Sequence, residues 1–222
     1  VVGSMLKQGE PFSTANLEAE RNRLHKEFRN NGYFYYRPNY IYFRADTIMI
    51  PQKVQVKVGP LPETPNQAKH PYYIGNTRMN IYKYNQYQLT DSITFRGQTY
   101  AYSNTKNKPP LRLRAILPNI FLKKGELYRQ TNHDLTLQKL SEMDVFSSIR
   151  VNYVPRDTVL DNDTLDIVVS AMLDKPYDAE FEGKVTNKSN NYVGPGISFG
   201  MRKRNAFRGA ETLGLSVWGS YE

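Results

Sequence analysis

One block of sequence occurs twice, and that repeat constrains the fold more than any other feature. Leu6-Lys7-Gln8-Gly9-Glu10-Pro11-Phe12 returns as Leu122-Lys123-Lys124-Gly125-Glu126-Leu127-Tyr128. Each copy runs into a stretch with helical spacing. In the first, Ser13 can cap a helix carrying Leu17, Leu24 and Phe28; in the second, Thr131 or Asn132 can cap, with Leu135, Leu137 and Leu140 behind. Each helix ends at an aromatic corner, Gly32-Tyr33-Phe34 and Asp144-Val145-Phe146. Gly32 suits the left-handed position that stops a helix, whereas the second copy has no glycine there. A strand follows each corner, Tyr36 to Phe43 closing on Arg44-Ala45-Asp46-Thr47, and Ser148 to Val154 closing on Arg156-Asp157-Thr158. Last come Lys53 to Val58 and Thr164 to Val169. The offset, 116 residues from Gly9 to Gly125, is 111 from Lys53 to Thr164, the small drift expected of two copies of one fold.

The repeated unit therefore reads helix, strand, strand. The second copy also has an earlier strand near Tyr72 to Tyr82, where the first has only Val1 to Leu6, too short for the same element. A polar insertion, long for a connection, separates Asn85 from Asn119, and Ser92 to Tyr102 within it is rich enough in Ile, Phe, Thr and Tyr to form strands. Between the copies, Gly59-Pro60-Leu61-Pro62-Glu63-Thr64-Pro65 forms a linker that cannot continue a central strand.

From Tyr177 onward the pattern changes to long alternating strands. Ala179, Phe181, Gly183 and Val185 oppose Glu180, Glu182, Lys184 and Thr186; Ile197, Phe199 and Met201 alternate with Ser198, Gly200 and Arg202; Leu213, Leu215 and Val217 alternate with Gly214, Ser216 and Trp218. Such alternation is the signature of a transmembrane β-strand of about 9–11 residues, but it also suits a half-buried soluble sheet, which the alternation taken alone favours. Compact polar turns, Asn187 to Asn191 and Lys203 to Glu211, favour the membrane version. Three strands cannot satisfy their edges in lipid, so a barrel begun here is unfinished at Glu222.

Composition removes several kinds of chemistry. The 222 residues include no cysteine, which excludes disulfide frameworks, Cys-based zinc sites and thiol nucleophiles. No apolar run reaches the roughly 18 residues of a transmembrane helix, and the N-terminus lacks the pattern of a signal peptide. His25, His70 and His133 form no metal-binding pair, and Asp161, Asp163 and Asp166 lack the glycine and terminal glutamate of a calcium loop. Asp46 and Asp157, each before a threonine, read as turn builders. Gly196-Ile197-Ser198-Phe199-Gly200 matches a nucleophile elbow, but no helix follows and every histidine precedes the serine. The net charge of +9 and the 17 tyrosines allow a different function. Tyr33-Phe34-Tyr35-Tyr36-Arg37 with Tyr40 mixes rings and a cation as single-stranded nucleic-acid surfaces do, so a basic, Tyr-rich soluble nucleic-acid-binding module is the alternative.

The two repeats, the Gly32-Tyr33-Phe34 corner, the Val193-Gly194-Pro195-Gly196 segment and the Arg204-Asn205-Ala206-Phe207-Arg208-Gly209-Ala210-Glu211 turn resemble the BamA/TamA family. Its members carry periplasmic POTRA domains (strand, two helices, two strands) ahead of an outer-membrane β-barrel. The resemblance implies an α+β chain of two tandem POTRA-like domains followed by the first antiparallel strands of an incomplete transmembrane β-barrel. Residues 1–62 would form a POTRA-like domain with its first strand missing or shortened, 63–70 a Pro-rich linker, 71–175 a POTRA-like domain with an insertion at about 85–119, and 176–222 the opening barrel strands. It further implies a non-enzymatic assembly or translocation factor in the bacterial outer membrane, with the POTRA region in the periplasm. Its partners would be unfolded outer-membrane protein clients, accessory lipoproteins or periplasmic proteins, and outer-membrane lipid; nucleic acid, metal and cofactor are not expected. Clients would add as strands to open sheet edges bearing Tyr36, Tyr40, Phe43, Ser148, Arg150 and Asn152. Gly194, Gly196, Arg204, Asn205, Phe207, Arg208, Gly209 and Glu211 would form the barrel-opening motif, with Ala179 to Thr186 as the barrel seam. The incomplete first unit, the insertion and the missing barrel remainder depart from the family pattern.

Overall fold

The computed structural model describes residues 3–48, 51–95, 98–103, 108–156, 163–187 and 193–220. The chain divides into two units, the first of residues 1–76, 122–135 and 153–167, the second of residues 77–121, 136–152 and 168–222. Asp157, Thr158, Asp161 and most of the expected Asn187–Asn191 turn lie outside the described residues.

The first helix, α1 (Thr14–Asn30), starts where Ser13 predicts, although the serine side chain makes no capping hydrogen bond. It stops because Gly32 turns left-handed at φ +94°, and a Cβ there would lie 2.7 Å from Leu127. The next strand starts later than the sequence suggests. Pro38 fixes its own φ and offers no N–H, so Pro38–Tyr40 forms a 3-10 turn and β1 is Ile41–Asp46. Tyr36 and Tyr40 are therefore not strand residues; Tyr36 is buried, its ring stacked on Phe28 at 4.2 Å. β2 (Gln55–Pro60) pairs antiparallel with β1 from Ile41–Pro60 to Asp46–Gln55, a two-stranded sheet. Leu24, Phe28, Tyr33, Tyr35, Tyr40 and Phe43 pack against the buried Tyr36, Ile41 and Ala68.

A five-stranded sheet has the order β4-β5-β3-β7-β6. Its strands are β3 (Tyr73–Tyr82), β4 (Asp91–Phe95), β5 (Gln98–Tyr102), β6 (Phe146–Pro155) and β7 (Thr164–Leu173). β7 alternates without a break, burying Leu165, Ile167, Val169, Ala171 and Leu173, as a central strand must. The expected insertion strands form, and β5 adds parallel to β3 with β4 antiparallel outside it. The short α2 (Leu113–Ile116), which the sequence did not announce, and α3 (Gln130–Ser141) lie between β5 and β6 in the chain. α3 begins ahead of Thr131 and Asn132, which are thus helical rather than caps. Its buried residues are Thr136 and Leu140, and the Thr136 hydroxyl accepts the Phe121 N–H at 3.0 Å. At its end Asp144 takes the left-handed conformation at φ +53°, where the first copy has Gly32.

The last three strands are β8 (Tyr177–Asn187), β9 (Val193–Arg204) and β10 (Thr212–Ser220), an antiparallel sheet in the order β10-β9-β8.

Candidate functional site

Open strand edges are the first candidate. β6 is an outer strand of the five-stranded sheet, with Ile149, Val151 and Tyr153 partly buried and Ser148, Arg150 and Asn152 exposed. These three expected site residues thus share one solvent-facing row on an edge strand. Pro155 ends it, which limits how far pairing can extend. Phe43 sits on β1, half-buried beneath the Arg21 guanidinium, whose carbon lies 5.3 Å from the ring centroid. The expected residues on the first edge therefore divide, with Phe43 on the strand, Tyr36 buried in the core and Tyr40 half-buried in the 3-10 turn before it.

The aromatic run after Gly32 has a different use. Phe34 packs against Tyr128 and Tyr153 with centroids 5.0 and 4.8 Å away, and Tyr35 packs against Tyr72 at 5.2 Å. Arg29 lies over both Phe34 and Tyr128, at 4.9 and 5.0 Å from their centroids. Its Nη2 donates to the Tyr128 hydroxyl and to Gln130 Oε1, both at 2.6 Å, and Nη1 donates to the Phe34 carbonyl. Burial pushes the Tyr128 hydroxyl up to about 12 and drives the Tyr153 hydroxyl higher still. His133 Nδ1 lies 2.9 Å from the Tyr153 hydroxyl, and burial pushes its pKa below the usual histidine value. This cluster locks the end of α1 onto the start of α3, with the Arg29 guanidinium at its centre and the Asp134 carboxylate accepting from Gln130 at 2.8 Å on its exposed side. The sequence reading missed Arg29 and Gln130, since a single arginine at a helix end and a glutamine at a helix start carry no local signal of each other.

The second candidate is the three-stranded sheet. The pairs Phe181–Phe199 and Phe199–Val217 place Phe181, Val185, Ile197, Phe199, Met201, Leu213, Leu215 and Val217 on one face. All are exposed, Phe181 at 73% and Val185 at 72%. Glu180, Glu182, Ser198, Arg202 and Ser216 occupy the other face, where Arg202 approaches Glu180 at 3.8 Å. A water-soluble sheet covers an apolar face of this size; here no described element does. The strands measure 11, 12 and 9 residues, the length that crosses a bilayer at a tilt.

The turn joining β9 to β10 supplies its own hydrogen bonds. The Glu211 carboxylate accepts from the Phe207 and Gly209 N–H groups at 3.2 and 3.0 Å, and Asn205 Oδ1 accepts from Ala210 N–H at 3.3 Å. A Cβ on Gly209 would fall 2.2 Å from Glu211 Oε1, so glycine leaves room for the carboxylate. Asn205 Nδ2 donates to the Pro110 carbonyl at 2.8 Å, and Arg112 N–H donates to the Arg208 carbonyl at 2.7 Å. Arg204 pairs with Asp178 at 2.7 Å and approaches Asp174 and Asp144 at 3.7 and 3.8 Å. Arg204, Asn205, Arg208, Gly209 and Glu211 thus form one turn docked on the insertion, with the exposed Phe207 projecting from it. Gly194 and Gly196 lie apart from it on β9, paired with Thr186 and Lys184.

The remaining chemistry-bearing residues are dispersed. His70 pairs with Asp163 at 2.8 Å. Ser198 is in the middle of β9, with strand on either side, and its hydroxyl lies 3.4 Å from Glu182. Among the described residues no helix is long and apolar enough to cross a membrane, and no group of three metal-ligating side chains gathers.

No protein-family model matches the sequence, and no curated protein matches it. Its fold does have known counterparts. A crystal structure of BamA from Haemophilus ducreyi lacking POTRA domains 1–3 superposes on 97% of this chain with a TM-score of 0.62 at 12% identity. The likeness shows a shared fold. CdiB from Acinetobacter baumannii covers 96% of the chain with a TM-score of 0.47 at 11% identity. The chain spans 33% of the length of that BamA chain and 31% of that CdiB chain.

Proposed function

We propose that this chain is the junction region of an outer-membrane protein assembly or translocation factor, comprising two POTRA-like domains (1–62 and 71–175, joined by 63–70) and the opening strands of a barrel (176–222). The observation that carries the reading is the uncovered apolar face of β8, β9 and β10, on strands long enough for a bilayer and opposite a face that is polar apart from Trp218. A lipid environment is the solvent that such a face fits. The shared fold with BamA supports this reading, in which the POTRA-like region would lie in the periplasm. Unfolded outer-membrane clients or partner proteins pair their backbones with the open edge of β6, a contact that demands little sequence specificity. The factor does this without catalysis or cofactor.

The nucleic-acid alternative loses its main support, because the rings it requires are engaged in packing. Tyr36 is 5% exposed, Tyr33 packs on Phe28, and Phe34 and Tyr35 pack on Tyr128 and Tyr72.

A photo-crosslinking amino acid at Ser148, Arg150 or Asn152 of the native full-length protein tests the client edge. Crosslinks to unfolded outer-membrane proteins are expected at these positions and not at the exposed helix residue Gln138. Equal or absent crosslinking at the two places would remove strand addition at β6 from the account.

A further inference from the structure

At the end of the three-stranded sheet where the β9–β10 turn docks, unit 2 contains a cleft of about 530 Å³. Its floor is apolar, with Val145 and Leu173 buried and Pro109, Pro110 and Pro176 around them. Its rim is basic, carrying Lys83, Lys108, Lys203 and Arg208. The acidic group on the lining, Asp174, faces Arg204 at 3.7 Å, and Arg204 is bound more closely by Asp178. That arginine is therefore committed to aspartates, while the four rim cations make no ion pair among the described residues. The Arg208 guanidinium is steered to the rim by a 3.4 Å hydrogen bond to the Pro109 carbonyl.

Lys203 connects this cleft to the membrane-facing surface. It continues the row Ile197, Phe199, Met201, and its cross-strand partners Tyr177 and Leu213 lie on the same face. Its ammonium is 5.4 Å from the centroid of Tyr177, which is half exposed. An apolar row that ends in a tyrosine and a lysine is the arrangement that sits at a bilayer surface, ring among the headgroups and amine extended toward phosphate.

We propose that this cleft holds the headgroup phosphate of an anionic phospholipid, gripped by Lys83, Lys108, Lys203 and Arg208, with the acyl chains lying along the apolar face of β8 to β10. The inference rests on the membrane reading of those strands. Phosphate would satisfy the unpaired cations, while the apolar floor and its continuity with the strand face select a lipid over a free anion. Such a lipid would join the insertion, through Lys108, to the first strands of the barrel.

The test reconstitutes the full-length protein in nanodiscs of mixed phosphatidylcholine and phosphatidylglycerol, then extracts it in mild detergent and measures both retained lipids by mass spectrometry. Wild-type protein is expected to retain phosphatidylglycerol preferentially. The combined Lys83→Ala, Lys108→Ala and Lys203→Ala variant should lose that enrichment about tenfold or more, since each lysine near an anionic surface is worth about fivefold. The corresponding triple arginine variant should keep it. Unchanged enrichment in the alanine variant would overturn the site, as would inorganic phosphate alone displacing phosphatidylglycerol from the wild type, which would mark a free-anion site. The unheated and boiled gel mobilities of each protein separate the two layers of the proposal. Wild-type protein with no mobility difference overturns the membrane reading and this site with it, whereas lost lipid selectivity with an intact mobility shift reports on the lysines.

Discussion

Glu20 shows how one side chain can hold a segment that has no regular structure. It is 3% exposed, its carboxylate accepts the Met5 N–H at 2.7 Å and the Ser4 hydroxyl at 3.1 Å, and Arg23 grips both of its oxygens. The hydrogen bond from Arg23, working against burial, holds its pKa at about 2 where an ordinary glutamate has 4.5. A depressed carboxylate stabilises the folded state fully above about 4.5 and loses that contribution as the pH falls toward about 2. Glu20→Gln should therefore release the residues before α1, with Met5 amide exchange rising about tenfold, equivalent to about 1–2 kcal/mol. That difference between variant and wild type should vanish near pH 2; a difference that persisted there would mean the charge is not what holds the segment. Arg29 is the second such residue. Removing it leaves the buried Tyr128 hydroxyl without its donor and takes the guanidinium away from Gln130 Oε1, which keeps the Tyr128 O–H at 2.7 Å, so Arg29→Ala should destabilise unit 1 by about 2–4 kcal/mol, read as a lower denaturant midpoint. Arg29→Lys should not restore it, because an ammonium cannot lie flat over two rings while donating to two acceptors. Full recovery with lysine would show that charge alone is sufficient.

Among the elements, the two helix stops are the same device built from different residues. Gly32 adopts its left-handed conformation freely, whereas Asp144 does so against the steric cost of a Cβ. Asp144→Gly is expected to leave stability unchanged or raise it by up to about 1 kcal/mol, the removed strain exceeding the 3.8 Å contact with Arg204. Asp144→Val should cost about 1–2 kcal/mol, since a β-branched residue tolerates that conformation least. Thermal unfolding of the pair settles the matter, and a glycine variant less stable than wild type would assign Asp144 a role beyond ending α3. The helix stops also mark how far the sequence could be read. The repeat, the alternating strands and the insertion hairpin were legible because each rests on periodicity or on a nearby glycine or proline. The start of β1 is not legible, because Tyr36 and Tyr40 ahead of Ile41-Tyr42-Phe43 have the composition of a strand, while Pro38 sets a 3-10 turn and Tyr36 stacks inward on Phe28. Likewise Thr131 and Asn132 look like caps, yet the backbone enters α3 before them. The docking of Asn205 and Arg208 on Pro109 and Pro110 joins residues far apart in sequence, and neither partner announces the other.

For the molecule as a whole, the surface of β8 to β10 sets a physical requirement that the described residues do not meet alone. A sheet with Phe181, Ile197, Phe199, Leu215 and Val217 exposed on one face is unfavourable in water, and in lipid its outer strands leave unpaired backbone groups that cost several kcal/mol each. On the membrane reading proposed above, closure into a barrel with further strands would resolve both problems, burying every edge and giving the apolar face to lipid. The full-length protein should then migrate faster unheated than boiled when extracted from membranes in mild detergent, because a closed barrel resists unfolding by the gel detergent. Introducing charge on that face should act only in the membrane-embedded form. Phe199→Arg, near the middle of β9, is expected to cost about 2–4 kcal/mol of barrel stability, whereas Ser198→Arg, one residue along on the polar face, should cost far less. Equal effects at the two positions, with no mobility shift in the parent, would mean that β9 has water on both sides and that the apolar row is covered by another protein instead.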